Sequence, residues 1–256
     1  MLALAVSGAM AAGQQLQFLT HELPPLNYRD GASVTGLCTE LVRELQRRSG
    51  VGGEIELMPW ARAVAMAANT PNVALFFTTR TAEREAQYQW IGPIVNVSSS
   101  VYMRAGARLN VERIGDLAAV KQIIVHRGSF LEQALRRLGL QRLTLANTPE
   151  DALRLLLLQD LDDAVMVLTD PVVPAAGKKL RVPLDALKPV LVVHKGQGYL
   201  ALSKGTAPDT AALLQKELDA MKRDGTFAAI YAKWLPQAAA PGLLPEPALD
   251  LLQPSP

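Results

Sequence analysis

The sequence predicts an α/β protein built as two lobes, and three observations carry that prediction. From residue 15 onward, short apolar runs alternate with amphipathic stretches, the signature of strands interleaved with helices. That series restarts near residue 122 after a long extended connection. The chain has 256 residues, 49% hydrophobic and 20% charged, which suits two lobes of ordinary domain size in a globular protein. Aromatic residues make up 5%, so the cores must come mainly from Leu, Val, Ile and Ala.

The elements follow in order. Gln15 to Thr20 reads as a strand and leads into a turn-rich Leu23-Pro24-Pro25-Leu26-Asn27-Tyr28. Residues 36 to 49 read as a helix, because Leu37, Leu41, Val42 and Leu45 share one face and Gly50 supplies a stop. Glu54 to Leu57 reads as a strand, Trp60 to Ala68 as a helix and Val73 to Phe77 as a strand, with an extended connection from Trp90. In the second series, strands are expected at Gln122 to His126, Leu143 to Ala146 and Asp163 to Leu168, and helices at Phe130 to Leu138 and Pro149 to Leu158. Val190 to Val193 and Tyr199 to Ser203 are apolar and extended. Helices then cover Asp209 to Met221 and Phe227 to Trp234, with Gly225 between them.

Both ends of the chain stand apart. Residues 1 to 12 are an apolar run ending in small residues, with Ala9-Met10-Ala11 fitting the pattern before a signal-peptidase cut. The run is too short to span a bilayer, which takes about 20 residues, and a basic start is missing. Residues 1–13 therefore read as the remnant of an export signal, giving an exported protein. Residues 236 to 256 are rich in Pro, Ala and Leu without periodicity and are expected to be a disordered tail.

Composition and motif content exclude several classes. Lys and Arg number 26 against 24 Asp and Glu, without the clustered basic excess of a nucleic-acid surface. The one dense group, Lys178-Lys179-Leu180-Arg181, reads as a solvated loop between prolines. Cys38 is the only cysteine, so no intrachain disulfide forms, and its helical setting makes it a buried small residue. The phosphate-binding glycine loops, the Gly-x-Ser-x-Gly elbow and the His-Glu-x-x-His zinc motif are all missing. No cofactor, metal site or catalytic residue is implied. His21 and His126 fall at predicted strand C-termini, where ligands gather in α/β folds.

Phe77-Thr78-Thr79-Arg80-Thr81-Ala82-Glu83-Arg84-Glu85, running on to Trp90-Ile91-Gly92-Pro93-Ile94, resembles the first-lobe signature of family 3 extracellular solute-binding proteins. Three other stretches resemble that family in the right order. They are Thr20 to Tyr28, the turn Val125-His126-Arg127-Gly128-Ser129, and Leu218 to Thr226 followed by Ile230 and Lys233-Trp234-Leu235. The resemblance covers about residues 15 to 235, and Met58-Pro59-Trp60-Ala61-Arg62-Ala63 places it near a branch with poorly defined ligands. It implies a type 2 periplasmic binding fold, two Rossmann-like α/β lobes joined by two hinge strands with a ligand cleft between them. The crossings are expected near residues 96 to 105 and 190 to 200. Lobe 1 would take residues 14–100 plus 197–235, and lobe 2 residues 101–196.

The resemblance also implies roles. Arg84 matches the arginine that grips a ligand carboxylate, for which a planar guanidinium fork is suited; the alternative is a surface ion pair with Glu83 or Glu85. Thr79 and the backbone at Phe77 and Thr78 match positions that hydrogen-bond the ligand. Gly128 and Ser129 stand at a strand-to-helix turn that would favour an anion, although Ser129 is equally an ordinary N-cap. His126 is either ligand-facing or structural. Trp60 is expected to wall the cleft, and Phe77 to lie in the core or beside it. Amino-acid binders carry an acid near the end of the second-lobe strand, where this chain has Leu168; Asp170, or Glu22 from the first lobe, would have to replace it. The implied function is a monomeric periplasmic receptor that captures a small polar, carboxylate-bearing ligand and delivers it to the membrane permease of an ABC-type importer. The alternatives are an elimination enzyme on the same scaffold, similar to cyclohexadienyl dehydratase, or a free sensor for a signalling receptor.

Overall fold

The computed structural model describes residues 15–158, 163–246 and 249–252. The export signal expected at residues 1–13 lies outside them. The first half holds β1 (Gln17–Thr20), a hairpin of β2 (Tyr28–Asp30) and β3 (Ser33–Thr35), α1 (Leu37–Ser49), β4 (Ile55–Leu57), α2 (Trp60–Asn69), β5 (Val73–Thr79) and the single turn α3 (Ala82–Glu85). The long strand β6 (Tyr88–Arg104) leads into β7 (Gln122–His126), α4 (Phe130–Arg137), β8 (Leu143–Ala146), α5 (Pro149–Leu158), β9 (Ala164–Thr169) and α6 (Val173–Leu180). A second long strand, β10 (Leu187–Ser203), returns to α7 (Pro208–Arg223), α8 (Thr226–Trp234) and the short β11 (Leu249–Asp250).

One path of strands, β4-β1-β5-β10-β6-β9-β7-β8, joins both lobes. Within lobe 1, β4, β1 and β5 run parallel; within lobe 2, β9, β7 and β8 do the same. Strands β6 and β10 pair antiparallel from Tyr88 opposite Ser203 to Arg104 opposite Leu187. Their first-lobe ends extend one sheet through β5, and their second-lobe ends extend the other through β9. The two crossings are thus one ribbon. The parallel strands β5 and β9 are buried along their whole length, which explains why they read as unbroken apolar runs without alternation.

Helices cover both faces of each sheet. Leu37, Leu41, Val42 and Leu45 of α1 pack with Leu214 and Leu218 of α7 and Phe227 and Tyr231 of α8 in a cluster that continues past the hinge. It includes Ile124, Met166 and Leu168, together with Leu153 and Leu156 of α5. A second cluster seats Leu131 and Leu135 of α4 on the opposite face of lobe 2, and a third seats Trp60, Ala63 and Ala67 of α2 in lobe 1. Gly50 ends α1 in the left-handed conformation, φ 71°, the stop anticipated from its position. Cys38 is buried in the same helix.

Two expectations need correction. Lys178 and Lys179 lie in the last turn of α6, not in a loop. Pro174 is tolerated in the first turn because helix-start N–H groups have no partner to lose, and the lysines suit the negative helix end. Lys179 also pairs with Glu150 at 3.0 Å. The described part of the tail is ordered against the hinge. Asn96 donates to the Ala239 carbonyl at 3.2 Å, the Glu246 N–H donates to Gln197 Oε1 at 3.1 Å, and β11 pairs with His194 and Lys195 of β10. Leu252 is 0% exposed in the lobe 2 cluster. A segment without internal periodicity finds its order in partners that the hinge strands supply. Leu252→Ala is therefore expected to cost about 2–5 kcal/mol and to lower the melting temperature by several degrees in calorimetry. An unstructured tail would show no change.

Candidate functional site

The cleft forms where the carboxyl ends of the parallel strands in the two lobes face each other. From lobe 1 come His21 after β1, Trp60 at the start of α2, Phe77 and Thr79 of β5, and Arg84 of α3. From lobe 2 come His126 at the end of β7, Ser129, Phe130 and Leu131 at the start of α4, and Leu168 and Thr169 at the end of β9. The cavity they enclose is about 40 Å³, room for a few water molecules. It adjoins an outer hollow of about 420 Å³ lined by Glu22, Arg29, Arg127 and Asn147, which shares His21, Trp60 and His126 with it. The lobes touch across it. Gln133 of α4 accepts from Arg84 at 3.4 Å, Arg137 pairs with Glu83 at 3.4 Å, and the rings of His21 and His126 stack at 5.6 Å. A ligand of amino-acid size requires the lobes to part.

Arg84 is the central feature. Its side chain is buried, 7% exposed, yet its hydrogen bonds are two long ones at 3.4 Å, to the Thr79 carbonyl and to Gln133. Neither neighbouring acid pairs with it. Glu85 is held by Arg80 at 2.6 Å and Glu83 by Arg137. The ion-pair alternative is therefore corrected: the flanking glutamates serve other arginines. Burial pushes the Arg84 pKa below the ordinary guanidinium range, the mark of a charge removed from water with little in return.

The strand leading to it is bent to present the site. Leu200 pairs with Phe76 and Tyr199 with Thr78, so Phe77 is the extra residue of a bulge, with a left-handed φ of 60°. Its ring lies over Gly198, where a Cβ would stand 3.1 Å from the ring edge. Phe77 and Thr79 line the cavity, while the Thr78 hydroxyl donates back to the Leu75 carbonyl at 3.4 Å and its side chain stays out of it. Trp60 lines the cleft and also packs in the lobe 1 core, with its ring 4.7 Å from His21.

The second-lobe turn is already occupied. The Gly128 N–H donates to the Glu132 carboxylate at 2.6 Å, the Ser129 hydroxyl donates to the His126 carbonyl at 2.7 Å, and Ser129 Oγ accepts the Glu132 N–H at 3.2 Å. The chain supplies its own anion at the helix start, so Gly128 and Ser129 offer no free donor in this arrangement. The two acids considered as replacements for Leu168 are placed elsewhere too. Asp170 is turned to the hinge, where Ser98, Ser100 at 3.1 Å and Tyr102 at 2.8 Å donate to it. Glu22 accepts the Arg29 N–H at 3.3 Å and lines the outer hollow only.

The histidines are better placed than their sequence positions suggested. A carbonyl only accepts, so the 3.0 Å contact between His126 Nε2 and Asn147 O places the proton on Nε2. Burial lowers the pKa of His126, and burial with His126 beside it lowers that of His21 to about 3. His21 is 8% exposed and its Nδ1 has no partner. His21, noted in the sequence for its place at the end of the first strand but given no role by the family resemblance, lines the cavity. Phe130, Leu131 and Gln133 carried no such signal, because a helix face reveals its neighbour only in three dimensions. Among the described residues no group of three or more His, Cys, Asp and Glu is placed to hold a metal ion.

Two outcomes follow from these environments. Arg84→Met is expected to leave the unliganded protein as stable as the parent or a few degrees more so, because it removes an unpaired buried charge. Thermal melts check this. For His21 the folded pKa lies below the ordinary value of about 6.5, so protons bind the unfolded chain first. Its contribution is complete above that value and declines as pH falls toward 3. Melts between pH 7 and pH 4 are expected to show a decline that His21→Phe reduces.

Comparison with known proteins fits this geometry. A model of the bacterial extracellular solute-binding proteins, family 3, matches residues 17–237. A histidine kinase sensor domain with similarity to periplasmic binding proteins superposes with a TM-score of 0.79 at 23% identity, covering 90% of this chain and 99% of that one. An arginine-binding protein of T. maritima gives 0.75 at 19%, covering 87% and 96%. The arginine-, lysine-, histidine-binding protein ArtJ of Geobacillus stearothermophilus gives 0.74 at 18%, covering 90% and 98%. No curated protein sequence matches the chain.

Proposed function

The chain belongs to the bacterial extracellular solute-binding proteins of family 3, and from that premise we propose that it is a non-catalytic periplasmic receptor for a small carboxylate-bearing solute. The observation that carries this reading is Arg84, buried between the lobes with two weak hydrogen bonds and no carboxylate. A guanidinium in that state gains most from a bidentate carboxylate, whose two charge-assisted bonds replace the long contacts to Thr79 and Gln133. Thr79 adds a hydroxyl from the same wall, and Trp60 and Phe77 flank the ligand's body.

Capture requires motion. The inner cavity of about 40 Å³ admits a solute only when the β6–β10 ribbon flexes, and the solute then bridges the lobes and favours closure. The closed face is what a membrane partner would read, and delivery to the permease of an ABC-type importer is the use proposed for it. A monomer is sufficient, since both walls come from one chain. The likeness to a histidine kinase sensor domain supports a second use of the same capture step, as a free partner of a signalling receptor. An elimination reaction would need an acid or base beside Arg84. His21 and His126 stand there and Glu22 does not.

A thermal-shift screen of amino acids, polyamines, dicarboxylates and aromatic acids, with Arg84→Ala as control, tests the reading together with solution scattering. The expected result is a shift of several degrees for one carboxylate class, a smaller radius of gyration with that ligand, and loss of both in Arg84→Ala. Neither a shift nor closure across the whole set would defeat it.

A further inference from the structure

The inner cleft carries one full positive charge and no negative one. Arg84 is buried there without a counter-ion, and the two imidazoles beside it, His21 and His126, are held neutral by burial. Each acid near the walls is accounted for by another partner. Glu83 is bound to Arg137, Glu85 to Arg80, Glu132 to the Gly128 N–H and Arg136, and Asp170 to the three hinge hydroxyls. Glu22 remains in the outer hollow, where Arg29 and Arg127 outnumber it. The remaining wall is largely apolar, with Leu23, Phe130, Leu131 and Leu168 facing Trp60 and Phe77.

We infer that this cleft selects an apolar-bodied monocarboxylate lacking an ammonium group, and discriminates against the corresponding α-amino acid. The inference rests on the capture function proposed above and names its ligand class. An anion neutralises Arg84 and leaves the enclosed cleft uncharged. A zwitterion adds an ammonium with three donors to a wall that offers neutral acceptors at most, and a buried charge without a counter-charge is costly. The free Nδ1 of His21 gives a neutral polar substituent a partner, such as a hydroxyl. Leu168, where an acid would be needed for an ammonium, instead packs in the core cluster that runs through the hinge.

Isothermal titration of the purified full chain with matched pairs tests this. Suitable pairs are 3-phenylpropanoate against L-phenylalanine and 4-methylpentanoate against L-leucine, with phenethylamine as the ammonium-only control. The carboxylate of at least one pair is expected to bind roughly tenfold or more tighter than its amino acid, phenethylamine to give no binding, and Arg84→Gln to remove the difference. Thr169→Asp, which adds a carboxylate to the cavity wall, is expected to move the preference toward the amino acid. Amino acids binding as tightly as their partners, with dependence on Arg84, would overturn the inference and leave the capture function standing. Binding of the carboxylate unchanged in Arg84→Gln would overturn it as well. No binding by any member, together with no closure in scattering, would defeat the capture function and this inference with it.

Discussion

Everything in this molecule is arranged around a single antiparallel ribbon. Strands β6 and β10 carry the chain between lobes and pair with each other along the whole crossing. Because each contributes an edge to both sheets, neither lobe completes its sheet without them. The ribbon also fixes polarity. It sets the strands of each lobe so that their carboxyl ends, with the loops and helix starts that follow, meet at one cleft. A ribbon of two strands twists more readily than a packed sheet, and it is the link between the lobes. The C-terminal segment adds a brace, reaching Asn96 and Gln197 beside the crossing and burying Leu252 in lobe 2.

The cleft follows from that arrangement by the distribution of charge. The arginines nearest to Arg84 in the chain or across on α4 are paired: Arg80 with Glu85, Arg137 with Glu83 and Arg136 with Glu132. Arg84 alone among these is carried inward on a single helical turn and left with a carbonyl and an amide. Stability by itself would not produce this, since pairing or apolar replacement would serve a buried position better. The bulge at Phe77, with its left-handed backbone, is a second local cost at the same place. Unrelieved costs gathered at one end of a sheet are what a binding site is expected to contain.

Much of the fold was legible in the sequence because it depends on short-range pattern. The faces of α1, the stop at Gly50, and the buried runs of β5 and β9 follow from periodicity and turn chemistry. The tail and the basic end of α6 were misread for one reason. Their order comes from partners distant in sequence, Asn96 and Gln197 in one case and, in the other, the core cluster into which Val173 and Ala176 pack. The site shows the same division. Arg84, Thr79 and Trp60 were identifiable from a local motif and do line the cleft. Glu22 and Asp170 were taken by a backbone N–H and by three hydroxyls. Gly128 and Ser129 were matched to an anion, but Glu132 four residues on supplies it. Hydrogen-bond competition of this kind is settled by geometry, and a linear motif does not encode it.

The most direct test of the account is a crystal structure grown with the carboxylate that gives the largest thermal shift. The account predicts its carboxylate in bidentate contact with Arg84 at about 3 Å, enclosed between Trp60, Phe77 and the start of α4, with the guanidinium released from Gln133. A ligand seated elsewhere, such as the hollow of about 570 Å³ between the hinge strands and the C-terminal segment, with Arg84 still on Thr79 and Gln133, would contradict it.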